Sequence, residues 1–107
     1  MTNQEIIISN AVGYSPKSIK NIINHYTVYK SLAQQANITA LAIILDINRA
    51  FRRLNDREQT CIVYKIYGYT LRETAAKLNI SYCAVNNTLN KACKKISTYL
   101  IGYRRQW

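Results

Sequence analysis

The sequence predicts an all-α protein of about five helices. Glycine and proline are scarce, with three and one in 107 residues, so few positions interrupt a helix. Apolar side chains recur at three- and four-residue steps along most of the chain, which is the spacing of a helix face. The strand-type run Ile6-Ile7-Ile8 is an exception to that spacing.

The amino-acid composition excludes several classes of protein. Fifteen Lys and Arg stand against five Asp and Glu, giving a net charge of +10, and 49% of the residues are hydrophobic. A disordered basic tail would lack that apolar half. A membrane span needs about 18 apolar residues in a row, and we find neither such a run nor a signal peptide. The charge indicates a polyanionic partner, with nucleic acid favoured over a membrane surface.

The first half of the chain predicts two long helices. Ser15-Pro16 is a typical helix start, and the apolar periodicity that follows predicts one helix of about 20 residues ending at Asn37. Thr39 can cap the second, over residues 40–54. Its segment 41–45 is apolar on all sides and needs cover on more than one side. That cover is either the first helix or a partner, including a second copy.

The second half predicts three more helices. Asp56 can cap the third, which Gly68 ends. Thr70 and Glu73 have the spacing of a capping box, and they open a short helix over residues 71–78.

A tight turn follows the short helix. Asn79 can take the left-handed conformation there, and Ser81 caps a last helix from Tyr82 to about Tyr99. Short helix, turn and long helix over residues 70–96 form the layout of a helix-turn-helix.

Packing positions agree with this motif. Ala75 is small where the two helices would cross, and Leu78, Ile80 and Val85 are apolar where the turn meets the core. Residues 46–96 resemble region 4 of bacterial sigma-70-type factors. The resemblance rests on Leu54-Asn-Asp-Arg57-Glu58, Gly68-Tyr-Thr70-Leu71-Arg-Glu73-Thr-Ala75, Leu78-Asn-Ile80-Ser81, Val85 and Lys91-Ala-Cys-Lys-Lys-Ile96. The whole chain also resembles the small phage- and prophage-borne sigma-like regulators of the autolysin-regulator type.

The resemblance implies a DNA-binding surface, since the last helix of region 4 lies in the major groove of a promoter. The base-facing residues it implies are Tyr82, Cys83, Asn86, Asn87 and Asn90. Asn can bind adenine through two hydrogen bonds, so we expect an A·T-rich target or weak specificity. The implied phosphate contacts are Arg57, Thr70, Leu71, Arg72, Lys91, Lys94 and Lys95.

Region 4 also docks on the β-subunit flap of RNA polymerase through an apolar groove. The implied counterparts here are Ile44, Ile47, Phe51, Ile62 and Ile66, which fit a buried core equally well.

Catalytic and metal-binding patterns are absent from the sequence. The chain lacks a Ser-His or Cys-His pairing and a Gly-rich phosphate loop, so we expect no enzyme and no cofactor. Cys61, Cys83 and Cys93 match no zinc spacing, and His25 stands alone, so we expect free thiols and no metal.

The predicted organisation is an N-terminal arm (1–14), a helical segment (15–45), a region 4-like domain (46–100) and a basic tail (101–107). We expect a cytoplasmic transcriptional regulator of a bacterial or phage-infected cell that binds double-stranded DNA. RNA polymerase as a second partner and a homodimer are open alternatives. In 107 residues we expect no room for a promoter-melting region, so the chain is not a complete sigma factor. The alternative function is a protein-interaction module, split sigma subunit or packaging accessory with weak DNA binding.

Overall fold

The protein folds as a cluster of six α-helices in a computed structural model that describes residues 14–104, with side chains through residue 102. The helices are α1 (Pro16–Asn24), α2 (Tyr26–Gln34), α3 (Ile38–Phe51), α4 (Asp56–Ile66), α5 (Leu71–Leu78) and α6 (Tyr82–Arg104). No strand occurs in this part of the chain, which confirms the all-α class. The predictions for most of the N-terminal arm, including residues 6–8, and for residues 105–107 lie outside the described residues.

The first predicted helix is two helices, which makes six rather than about five. His25 separates α1 from α2 with φ −119° and ψ 25°, and its Nδ1 lies 3.0 Å from the carbonyl oxygen of Asn21. α1 packs on α4 and α6, whereas α2 packs on α3. The prediction of one continuous helix was wrong because its two halves pack on different helices. No Gly or Pro marks the bend in the sequence.

Two helices begin earlier than predicted because an asparagine upstream provides the cap. The Asn37 side chain accepts a hydrogen bond from the Ala40 amide at 3.0 Å, so α3 is capped there and not by Thr39. Asn55 accepts from the Glu58 amide at 2.9 Å, and Glu58 accepts in return from the Asn55 amide at 3.0 Å. This capping box replaces the predicted Asp56 cap.

The C-terminal ends of α2, α4 and α5 share one geometry. Each of these helices is followed by a residue with positive φ: Ala36 at 65°, Gly68 at 89° and Asn79 at 55°. In each case the next amide bonds back five residues, as from Tyr69 to the Tyr64 carbonyl at 3.0 Å. These are Schellman motifs, which satisfy the last carbonyls of a helix. The predictions for Gly68 and Asn79 are confirmed.

Helix α6 lies at the centre and packs on α1, α3, α4 and α5. Its buried face carries Val85, Leu89, Ala92, Cys93, Ile96 and Leu100. Tyr29 anchors α2 in the core, and burial raises its pKa to about 12. Tyr14 joins the chain before α1 to this core: its hydroxyl donates to Asp46 Oδ2 at 2.8 Å, and its carbonyl accepts from Ser97 at 2.6 Å.

Only one side of segment 41–45 is covered. Ile43 and Ile44 are buried, but Leu41, Ala42 and Leu45 are exposed. Neither α1 nor α2 therefore covers the second apolar side of this segment, which the sequence analysis expected to be covered. No helix within residues 14–104 has the length and hydropathy to cross a membrane.

Candidate nucleic-acid interface

Helices α5 and α6 and the turn between them are built by local hydrogen bonds. The Thr70 hydroxyl accepts from the Glu73 amide at 3.1 Å, while Glu73 accepts from the Thr70 amide at 3.0 Å. After the left-handed Asn79, the Ser81 hydroxyl accepts from the Ala84 amide at 3.1 Å and caps α6. The predicted capping box, turn residue and cap are all confirmed.

The two helices are held by small and apolar side chains. Ala75 and Val85 are buried, and Leu78 and Ile80 pack against the core, as predicted. Thr74 is also buried, and its hydroxyl donates to the Thr70 carbonyl at 2.9 Å. Its polar atom therefore costs little in this packed position.

The exposed face of α6 carries the predicted base-facing residues. Tyr82, Cys83, Asn87 and Asn90 are exposed, Tyr82 to 50%, and Asn86 is half-buried. Steps of three and four residues relate these positions and place them on one side of the helix. The apolar residues at 85, 89, 92 and 96 are buried on the other side. The structure therefore brings these five side chains together; their contact with bases stays a prediction.

Among the α6 lysines, Lys95 has a partner inside the protein. Its Nζ lies 2.9 Å from Glu58 Oε1, and the Glu58 residue is only 3% exposed. Burial alone would raise the pKa of Glu58, but the hydrogen bonds from Lys95 and Asn55, with the charges of Lys95 and Lys91, outweigh it and lower that pKa. Part of the Lys95 charge thus neutralises a buried carboxylate, while Lys91 and Lys94 are exposed.

The ion pair also joins the start of α4 to α6. Arg57 is exposed next to Glu58, and Lys91 is close enough for its charge to act on the Glu58 carboxylate. Two of the predicted phosphate-contacting residues, Lys91 and Lys95, therefore act on one carboxylate. No sequence pattern indicates this pairing of Glu58 with Lys95, although the spacing of Asn55 and Glu58 is that of a capping box.

The start of α5 is the second predicted phosphate site. Thr70 and Arg72 are exposed and Leu71 is half-buried. The Thr70 amide bonds to Glu73, which leaves the amides of Leu71 and Arg72 at the positive end of the helix dipole. Hydrogen bonds from the Thr70 backbone and then from its side chain lower the pKa of the exposed Glu73 carboxyl. Glu73 is the last acidic residue of the chain.

The predicted polymerase-docking residues divide into two groups. Ile44 is buried in the core outside the groove described next. The other four line a groove of about 300 Å³, in which Ile47 and Ile62 are buried and Phe51 and Ile66 are half-buried.

Other walls of this groove were not predicted. Tyr26 and Lys30 of α2 line it, as does Tyr67, which is 77% exposed. Tyr26 is held in place by donating its hydroxyl hydrogen to Asn48 Oδ1 at 3.0 Å. The sequence could not reveal a groove whose walls come from distant segments.

The three cysteines are free thiols, as predicted. Burial raises the pKa of Cys93, and it raises the pKa of Cys61 in spite of the nearby Arg57 charge. Within residues 14–104, no three His, Cys, Asp or Glu side chains converge on a point that could hold a metal ion.

The arrangement of α5, turn and α6, with an exposed basic helix, defines a helix-turn-helix domain. Residues 44–96, about half of the chain, match the family model described as sigma-70, region 4. This segment, which runs from α3 into α6, is therefore a sigma region 4-like helix-turn-helix. No curated protein and no solved structure gives a significant match to the chain.

Proposed function

We propose that this protein is a DNA-binding transcriptional regulator, an activator of the phage or prophage autolysin-regulator type that acts in the cytoplasm of a bacterial cell. The observation that carries the proposal is the exposed face of α6. It presents Tyr82, three asparagines and two exposed lysines, Lys91 and Lys94, in a region 4-like helix-turn-helix. No acidic residue follows Glu73 to oppose a phosphate backbone.

The residues of this surface would make two kinds of contact with the duplex, to phosphates and to bases. Lys91, Lys94, Arg57 and the start of α5 bind phosphates, which gives affinity and orientation without sequence information. Asn87 and Asn90 present amides that can pair with adenine edges in the major groove. Because Arg and Glu are missing from this face, sequence preference rests on uncharged side chains and is modest.

Duplex binding across a salt series tests the proposal. We expect Lys91→Ala/Lys94→Ala to weaken binding and to reduce the slope of log affinity against log salt by roughly 2, about 0.9 for each lost contact. Lys95 is left unchanged, because its substitution would also break the pair with Glu58. Fluorescence anisotropy with an A·T-rich duplex provides the measurement.

The matched control is Lys17→Ala/Lys20→Ala, which removes the same charge from exposed positions on α1. It should leave the slope nearly unchanged. The proposal fails if the wild type shows no binding at low salt, or if both double variants lose the same slope.

A second function is favoured by the groove between α2, α3 and α4. Phe51, Ile66 and Tyr67 offer apolar surface there, on the part of the chain that matches region 4. This supports docking of the polymerase β flap, which would make the protein an activator or one part of a split sigma factor. If polymerase binds but duplex DNA does not, the protein is an interaction module. In neither case do we propose an enzymatic activity.

A further inference from the structure

Helix α3 carries an apolar stripe that stays exposed in the described part of the chain. Ile38, Leu41 and Leu45 are 81%, 43% and 53% exposed. They are separated by three and four residues and so lie on one side of the helix. The opposite side holds Ala40, Ile43, Ile44, Ile47 and Ala50, all buried. A helix that is apolar on both sides leaves one of them available for a partner.

The stripe is separate from the two surfaces already described. None of its three residues lines the groove of Phe51 and Tyr67. None lies on α5 or α6, which form the helix-turn-helix. Neither DNA binding nor docking in the groove would therefore cover it.

The chain segment that contains the stripe is free of charge. Residues 31–45 contain no Asp, Glu, Lys, Arg or His, although the whole chain carries a net charge of +10. Lys30 precedes this region, and the Asp46–Arg49 pair, 3.7 Å apart, follows it. A surface without charge offers no electrostatic steering for an acidic partner. It is, however, the region through which two strongly positive chains can approach with least repulsion.

We propose that this stripe is the contact surface of a homodimer, formed by two α3 helices packed side by side. A two-fold interface is built from the same patch on both copies, and an apolar, uncharged stripe is complementary to itself. An antiparallel arrangement centred between residues 41 and 45 places Leu41 of one copy against Leu45 of the other. This inference does not depend on DNA binding.

The dimer is small and reversible. Helix α3 has 14 residues, so it is about 21 Å long. A stable interface usually buries about 1,200–2,000 Å² in total, which is more than one short helix from each copy provides. The neighbouring uncharged residues of α2, Ser31, Gln34 and Gln35, are exposed and can form the polar rim. Dimerisation therefore depends on protein concentration.

Sedimentation equilibrium of the full chain, without DNA, tests the inference. We expect a monomer–dimer equilibrium whose association constant stays equal or rises between 0.1 M and 0.5 M salt, because screening weakens the repulsion between the chains. Leu41→Glu and Leu45→Glu should each weaken association at least tenfold, and Leu41→Gln should weaken it without adding charge. The matched control is Thr98→Glu, which adds the same charge at an exposed position on α6.

Three results would overturn the inference. A monomer at every concentration would mean that another segment or another protein covers the stripe. A dimer that survives Leu41→Glu and Leu45→Glu would use a different surface. Association that falls as salt rises would be driven by charges rather than by the uncharged stripe. Circular dichroism and thermal unfolding of the exposed-site variants show whether each is folded, and the uncharged Leu41→Gln keeps the test valid if a Glu variant is not.

Discussion

At the scale of single residues, Glu58 determines more of the structure than any of the lysines predicted to bind DNA. Its carboxylate completes the capping box of α4 and bonds to Lys95 of α6 at 2.9 Å. It is nearly fully buried, so its charge needs these partners to remain stable. The basic face of α6 and the stability of the fold are thus connected through one side chain.

Replacing this carboxylate should lower stability in a pH-dependent way. The folded-state pKa of Glu58 is lowered. Its contribution is therefore fully present above the ordinary value near 4.5 and is lost as pH falls through the folded-state pKa. We expect Glu58→Gln to reduce the free energy of unfolding by about 1–3 kcal/mol at pH 7, less than for a fully buried pair because Lys95 is half exposed. Urea unfolding between pH 7 and 3 measures it.

Two comparisons isolate the ion pair. Lys95→Met should also destabilise the protein at pH 7, whereas Lys94→Met, at an exposed position beside it, should change stability little. The difference between wild type and Glu58→Gln should shrink as pH falls below about 4.5, the ordinary Glu pKa. An equal loss at pH 7 and pH 3 would show that the carboxylate acts through shape and not through charge.

At the scale of elements, the end of α2 adopts the usual helix-ending motif with a residue that is unfavourable there. Ala36 occupies the left-handed position of a Schellman motif with φ 65°, where Gly68 and Asn79 serve the other two helices. The Asn37 amide bonds to the Leu32 carbonyl at 3.1 Å, so the motif is complete in spite of the alanine. An L-residue with a Cβ is strained in this conformation by about 1–2 kcal/mol.

Glycine should relieve that strain. We expect Ala36→Gly to stabilise the protein by about 0.5–1 kcal/mol, because the relief exceeds the greater freedom that glycine gives to the unfolded chain. Thermal unfolding provides the measurement. Ala76→Gly is the matched control: Ala76 is exposed within α5 and has helical geometry, so the same change should destabilise by about 1 kcal/mol. Equal effects from both changes would contradict the strain at Ala36.

The elements predicted well from sequence are those fixed by nearby residues. Thr70, Asn79 and Ser81 act within three to five residues of their partners, so their types and spacing were sufficient. The bend at His25 depends on α1 and α2 packing on different helices, which no local pattern encodes. For the same reason the groove beside Phe51 was only half predicted: its α2 wall is distant in sequence.

At the scale of the whole molecule, charge and apolar surface are separated. The exposed face of α6 is basic and polar, and residues 31–45 at the α2–α3 turn are uncharged. The groove with Phe51 and Tyr67 is a third surface. The resemblance to region 4 implied the members of the α6 face, and their helical spacing is consistent with one shared side. Sequence analysis could not separate exposed from buried residues in α3, because that division depends on where α2 and α6 lie.

Separate surfaces predict separable activities. Tyr67 is 77% exposed at the groove, and Tyr82 is 50% exposed at the start of α6. Because hot-spot aromatic side chains typically contribute 1–2 kcal/mol or more to an interface, we expect Tyr67→Ala to weaken capture of purified RNA polymerase about tenfold and to leave duplex binding unchanged. Tyr82→Ala should weaken duplex binding and leave polymerase capture unchanged.

The two tyrosines control for each other, since each variant removes one exposed ring from the same protein. If each variant lost both activities, DNA and polymerase would share one surface, and the regulator could not contact both at once. If polymerase capture were absent in the wild type, the groove would have another occupant, while duplex binding through α6 would still stand. An activator needs both surfaces at the same time, because its recruitment of polymerase depends on a bound promoter. We therefore expect the wild-type protein, when bound to DNA, to capture polymerase. Either variant should lose this DNA-dependent capture.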